Sequence, residues 1–337
     1  MRPVPAPILL GALVVAVAGA LAVALALGPY PLQGGDAVRA LARLLGVDGG
    51  AVTPGEIVFM RVRLPRVVAD MLVGAALAGA GAAYQTLFRN PLVSPDILGV
   101  AAGAGLGAAV GILLALPVVG IQGLAFAGGL VTVVLVYVIA AALRGRDRTL
   151  VLVLSGVVIG ALAGACISLT KILADPYDQL PAITFWLLGS LAGVKLADLA
   201  VAAPLVAAGL LPLVLLRWRV GVLSLGDDEA RALGVDVGLL RGIVITAATL
   251  MTASVVAISG VIGWVGLMMP HIARMVAGPN FARLLPTAML LGAGFLLAVD
   301  TLARTLARVE TPIGILTAVV GAPFFLWLLA RGGRSWR

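Results

Sequence analysis

The sequence predicts an all-α polytopic membrane protein with about ten transmembrane helices. Three observations predict it. Of its 337 residues, 62% are hydrophobic, and the mean hydropathy is +1.16, whereas soluble domains lie near 45–50% apolar. Only 11% of residues are charged, too few to clothe a water-facing surface. The apolar residues fall in long unbroken runs, as spanning helices of roughly 20 residues require; a membrane barrel needs alternating segments of roughly ten residues.

In chain order, the first apolar run extends from Pro3 to Leu27. It is longer than the apolar region of a secretory leader and only Arg2 precedes it, so it reads as a retained span, 6–27. Further spans are predicted at 65–87, 97–116, 123–143, 149–172, 195–216, 239–259, 262–277, 285–303 and 313–331. The 262–277 run is short and carries Pro270 and His271. No soluble domain and no long linker interrupts the series, so 1–337 reads as a single transmembrane domain.

The net charge of +8 does not predict nucleic acid, because the arginines flank apolar runs and no basic run is interleaved with aromatics. Arginine and lysine are biased toward one set of loops, which predicts both termini in the cytoplasm. The bias is modest because the opposite face is itself basic, with Arg39, Arg43, Arg61, Arg63, Arg66, Arg304 and Arg308. Interfacial anchoring by snorkelling is one account of that excess. Asp70 lies four residues after Arg66 and Asp300 four before Arg304, a helical spacing that predicts two internal ion pairs. A proton relay is the alternative.

Gly99, Gly103, Gly107 and Gly111 recur every four residues, as do Gly156, Gly160 and Gly164. Each set makes a flat ridge on one helix face, where another backbone can approach. Contact within the protomer or across a dimer would both use it.

Chemistry-bearing clusters are few. Cys166 is alone, and no His/Cys/Asp/Glu group has metal spacing. His271, the single histidine, follows Pro270 and is expected to be structural, at a helix break. A P-loop needs a Gly-Lys-Ser/Thr run; the only lysines are Lys171 and Lys195, neither in that setting. The charged exception is "LSLGDDEARALGVD", where four of the chain's 15 acids fall within ten residues: Asp227, Asp228, Glu229 and Asp236. Acids in a first turn complement the helix dipole and Gly234 suits a C-terminal cap, so a short helix outside the membrane is predicted within 217–238. A solvated loop helix and a contact surface for a cytoplasmic partner are both open.

"EARALG" in this loop resembles, slightly shortened, the coupling motif of ABC importer permeases. "RLPRVVADMLVGAALAGAGAAYQTLFRNPLVSPDILGVAAGAGLG" (63–107), "GVIGWVGLMMPHIAR" (260–274) and "TPIGILTAVVGAPFFLWLL" (311–329) resemble, in the same order, the permease subunits that import vitamin B12, ferric siderophores and haem. The resemblance implies a homodimer with a central pathway in a bacterial inner membrane, and cargo of the haem, siderophore or cobalamin kind. Its implied partners are two ATPase chains carrying ATP and Mg, and a periplasmic binding protein. No cofactor is expected on this chain. The resemblance assigns ATPase coupling to Asp227, Asp228, Glu229, Ala230 and Gly234, and binding-protein docking to Arg63, Arg66 and Arg304, with Arg308 competing for the last place. Thr149 and Leu150 are the cytoplasmic gate candidates, although Leu150 departs from the small polar residue the family has there. Two other readings remain: a secondary transporter driven by an ion gradient, and a membrane-embedded assembly subunit.

Overall fold

The computed structural model describes residues 5–33, 35–47, 51–143, 148–306 and 309–331, and these are helical with no strand. Helix α1 is Ala6–Ala26, and the short α2 is Asp36–Leu44. Helix α3, Pro54–Val58, continues through a wider π turn at Phe59–Arg63 into α4, Leu64–Leu87. A tight turn at Pro95–Leu98 leads to α5, Val100–Leu113, followed by α6, Val118–Ala142, and α7, Arg148–Leu173. Then come α8, Gln179–Leu188; α9, Leu196–Leu215; α10, Arg217–Val222; and α11, Asp227–Ala232. The last four are α12, Val237–Ser259; α13, Val265–Ala277; α14, Phe281–Ala303; and α15, Ile313–Arg331.

Each of the ten predicted spans is a helix. Among the described residues seven helices are long and apolar enough to cross a bilayer. The other three, α5, α13 and the described apolar part of α15, are shorter, as is α8, which the sequence reading did not single out.

Burial sorts the helices. The apolar stretch of α4 is 78% buried and that of α12 is 72%, against 11% for α1. Helices α4 and α12 are therefore the axis of the bundle, and α1 lies on its rim against α14. The apolar faces left outward, such as Val14 and Val15 of α1, suit hydrocarbon rather than water.

Small residues set the closest contacts. The glycine ridge of α5 faces α6: a Cβ on Gly103 would collide with Thr132 and the Gly128 carbonyl, and one on Gly107 with the Leu124 carbonyl. Gly111 meets Ile121. The ridge is an intrachain seam. The ridge of α7 is used only in part: Gly156 abuts the Ile97 carbonyl, while Gly164 has open space beside it. An equally tight crossing joins α4 to α14, where Gly74 and Gly292 allow backbone-to-backbone contact.

The expected helix break at His271 is corrected. Helix α13 runs through Pro270, and the interruption lies earlier, at 260–264, where Trp264 has φ +70°. Pro270 has no N–H for the carbonyl of Gly266. That carbonyl instead lies where Gly81 of α4 comes closest.

Candidate functional site

Two polar assemblies stand at opposite ends of the bundle. The first is at the end that the charge bias predicts to be outer. Arg63 leaves the π turn fully occupied: its Nη1 donates to the carbonyls of Leu25 (2.7 Å) and Ala26 (2.8 Å), and its Nη2 to that of Tyr30. Arg304, just past α14, donates Nη2 to the Ala24 carbonyl (2.7 Å) and Nη1 to that of Leu27 (3.2 Å). A helix leaves its last four carbonyls without intrahelical donors, and cations are favoured there. Two arginines from other helices therefore cap the end of α1.

Arg66 grips Asp300 with Nη2 at 2.7 Å and Nε at 3.0 Å, and its Nη1 reaches Glu310 at 2.8 Å. Arg304 closes on the other oxygen of Asp300 at 3.3 Å. Asp300 is thus held between α4 and α14, and it is fully buried. The predicted Asp300–Arg304 pair is present. The predicted Arg66–Asp70 pair is not, because Arg66 turns to Asp300. Asp70 is fully buried and no N–H donor reaches either of its oxygens.

Arg39 and Arg43 are also bound within the chain. Glu56, fully buried, accepts from Arg39 at 3.1 Å and Arg43 at 3.2 Å. Asp36 accepts from the Gln33 N–H (2.8 Å) and from Arg39 (2.6 Å), which holds its carboxyl below the ordinary range. The basic excess of this face is therefore mostly internal bracing. Arg63, Arg66 and Arg304, expected to meet a binding protein, are buried at 3%, 5% and 5% exposure. As they stand, all three hold this chain to itself. Arg61 is exposed instead. Arg308 lies outside the described residues.

The second assembly is the acidic loop. Helix α11 is six residues long and opens at Gly226 (φ +142°), where any Cβ would strike the Glu229 carboxylate. It closes at Gly234 (φ +78°), with the Val235 N–H on the Ala230 carbonyl (3.0 Å) and the Gly234 N–H on that of Arg231 (2.9 Å). This is the left-handed glycine cap expected from the sequence. Ala230 is fully buried beneath the helix.

The four acids have different employments. Asp227 accepts from Arg241 of α12 at 2.9 Å, and Asp236 caps α12 through the Leu239 N–H at 3.0 Å. Asp228 pairs with Arg231 on the surface at 2.9 Å, and Glu229 is exposed. Asp227 and Asp236 thus fasten the loop to the central helix, while Asp228 and Glu229 face outward. The role of Arg241 had no local signal, since its partner lies fourteen residues away on another helix.

Thr149 and Leu150 occupy the first turn of α7; Leu150 is exposed. Among the described residues no group of three His, Cys, Asp or Glu side chains could hold a metal.

A buried bundle that ties an exposed acidic helix to its axis has the form of a transporter's membrane subunit. The sequence model of the FecCD transport family matches residues 6–331, and the chain belongs to that family. A probable iron chelatin transport system permease protein of Helicobacter pylori is 42% identical over 276 residues, covering 82% of this chain and 83% of that protein. The molybdate import system permease protein of Haemophilus influenzae is 38% identical over 322 residues, 93% of each. A solved metal-chelate type ABC transporter in an inward-facing conformation superposes with a TM-score of 0.86 at 36% identity, covering 96% of this chain and 99% of that one. The chain is therefore a multi-pass permease subunit of an ABC importer, not an enzyme, and a separate chain hydrolyses ATP.

Proposed function

We propose that this permease passes a metal chelate (a ferric siderophore or haem, with cobalamin as a further candidate) across a bacterial inner membrane, both termini lying in the cytoplasm. The cargo class rests on the iron chelatin relative and the metal-chelate type neighbour. The molybdate relative is named for a small oxyanion, so membership of the family alone does not fix the cargo. Two copies of the chain enclose the pathway. Two ATPase subunits bearing ATP and Mg engage the acidic loop, and a periplasmic binding protein delivers the cargo. The relatives do not favour an ion-coupled secondary transporter.

One observation carries the coupling role. Helix α11 is exposed on its outward face, capped at both ends by glycine, and joined to the axis helix α12 through Asp227 and Arg241. A push on Glu229 therefore reaches α12 without passing through a slack loop. Thr149 and Leu150 form the inner gate with their counterparts in the second copy. On the outer face, Arg63, Arg66 and Arg304 dock the binding protein only by exchanging internal partners for its carboxylates, whereas Arg61 is already exposed.

The test is a reconstituted complex with its ATPase and loaded binding protein. Glu229→Arg or Gly234→Pro should leave ATP hydrolysis in place and abolish cargo uptake. Normal uptake by both variants would refute the coupling role.

A further inference from the structure

A cleft of about 460 Å³ lies between α9 and α14, at the same end of the bundle as α10 and α11. Its walls are two helical stripes. Leu210 and Val214 come from α9, and Ala282, Leu285, Pro286 and Met289 from α14. The first pair is spaced i, i+4, and the second set i, i+3, i+4, i+7, so each wall is one helix face. Just beyond α9, Arg217, the first residue of α10, stands at the mouth.

The charge that Arg217 brings to the mouth is uncompensated. Arg217, Trp218 and Arg219 are exposed in sequence; Arg283, also exposed, lines a separate cleft between α14 and α1. Among the described residues these three arginines form no ion pair; Arg217 makes one long hydrogen bond, 3.4 Å, to the Val214 carbonyl. At the opposite end, by contrast, five of the arginines are spent on carboxylates or carbonyls of this chain. Leu211 and Leu215, on the neighbouring face of α9, are 58% and 71% exposed, so this side of α9 meets hydrocarbon. Exposed Trp218 suits the membrane–water boundary.

We propose that this cleft is a binding site for an anionic phospholipid. One acyl chain lies along the Leu210–Val214 and Leu285–Met289 walls. The phosphate pairs with Arg217, and the exposed Arg219 two residues on adds positive charge to the same short helix. Arginine's planar fork suits a phosphate diester. A basic group closing an apolar cleft at the headgroup level selects charge as well as chain. The leaflet is the one on the α11 side, which the proposed orientation makes cytoplasmic. The site itself does not depend on that orientation or on the cargo.

The full chain is reconstituted in phosphatidylcholine vesicles with and without phosphatidylglycerol, re-extracted in mild detergent, and its retained lipid identified by native mass spectrometry. The wild type should retain phosphatidylglycerol in preference to phosphatidylcholine. Arg217→Gln with Arg219→Gln should lose that preference, and Arg217→Lys should keep part of it. Ala282→Trp fills the cleft without touching a charge and should lose the lipid as well. Gel filtration and thermal unfolding screen the variants for folding, and the Gln pair, being solvent-exposed, remains informative if Ala282→Trp misfolds the chain. Equal retention of both lipids by the wild type would overturn the proposal. So would unchanged phosphatidylglycerol retention in the folded variants. Unchanged retention with lost ATPase co-purification would show that the arginines serve a protein partner instead, which also overturns it.

Discussion

At the scale of single residues, two fully buried acids of the first assembly, Asp300 and Asp70, make opposite predictions. Asp300 is the acid that both Arg66 and Arg304 hold, so Asp300→Asn leaves two buried guanidinium groups short of their counter-charge. Removing one partner of a buried pair costs about 3–5 kcal/mol. Asp70 has no N–H donor on either oxygen, so Asp70→Asn removes no such bond. Thermal unfolding in detergent should show a large fall for the first and a small change for the second; equal falls would mean that Asp70 is held as firmly as Asp300. The Asp300–Arg304 pair was legible because both ends sit one helical turn apart. Arg66 was misassigned because its nearest acid in sequence is Asp70, while its partner comes from a helix more than two hundred residues on. Likewise, nothing local in the sequence tells that Arg63 and Arg304 reach the carbonyls at the end of α1. Tertiary partners override spacing wherever a long side chain can choose.

At the scale of helices, the glycine ridges were legible as flat faces, and the structure decides what lies on them. Gly107 lies against the Leu124 backbone, which cannot give way as a side chain can. Gly107→Val should therefore separate α5 from α6 and cost at least the 1–3 kcal/mol of ordinary overpacking, about the range known for crowded cores. Gly164→Val meets open space and should leave monomer stability unchanged. If it disrupts a purified dimer instead, the free end of the α7 ridge is where the second copy packs. The Gly74–Gly292 crossing was missed because the glycines of α4 (Gly74, Gly79, Gly81) and of α14 (Gly292, Gly294) do not recur every four residues. The acidic loop offers a second test at this scale. Asp227→Asn should weaken the hold of α11 on α12 by about 1.5 kcal/mol, the low end for a hydrogen bond to a charged group, because Asp227 is 32% exposed. The reconstituted complex should then hydrolyse more ATP per cargo moved. The exchange Asp227→Arg with Arg241→Asp should recover the wild-type ratio if the link itself matters, and not if either residue serves the ATPase directly.

At the scale of the whole molecule, the all-helical class and the family were legible, because long apolar runs and ordered motifs survive without tertiary knowledge. The surfaces proposed for coupling and docking were less so, since a charged residue in a sequence does not reveal whether its partner is its own chain. That distinction fixes the last prediction. Arg63, Arg66 and Arg304 are buried and engaged, and Arg61 is exposed. If docking uses surface charge as it stands, Arg61→Ala should weaken binding-protein affinity and flatten its salt dependence, since exposed pairs are screened within about 10 Å at 0.1 M salt. The fold should be untouched. If docking recruits the brace, Arg61→Ala should be silent. Arg63→Lys, which keeps the charge but not the fork that holds three carbonyls, should then alter affinity and loosen α1 together. Loosening can be read by the reactivity of a cysteine placed at Leu27. The second outcome would make the cap of α1 the element through which cargo delivery is felt inside the bundle, because releasing Arg304 from Ala24 also frees its side of Asp300, the acid that joins α14 to α4.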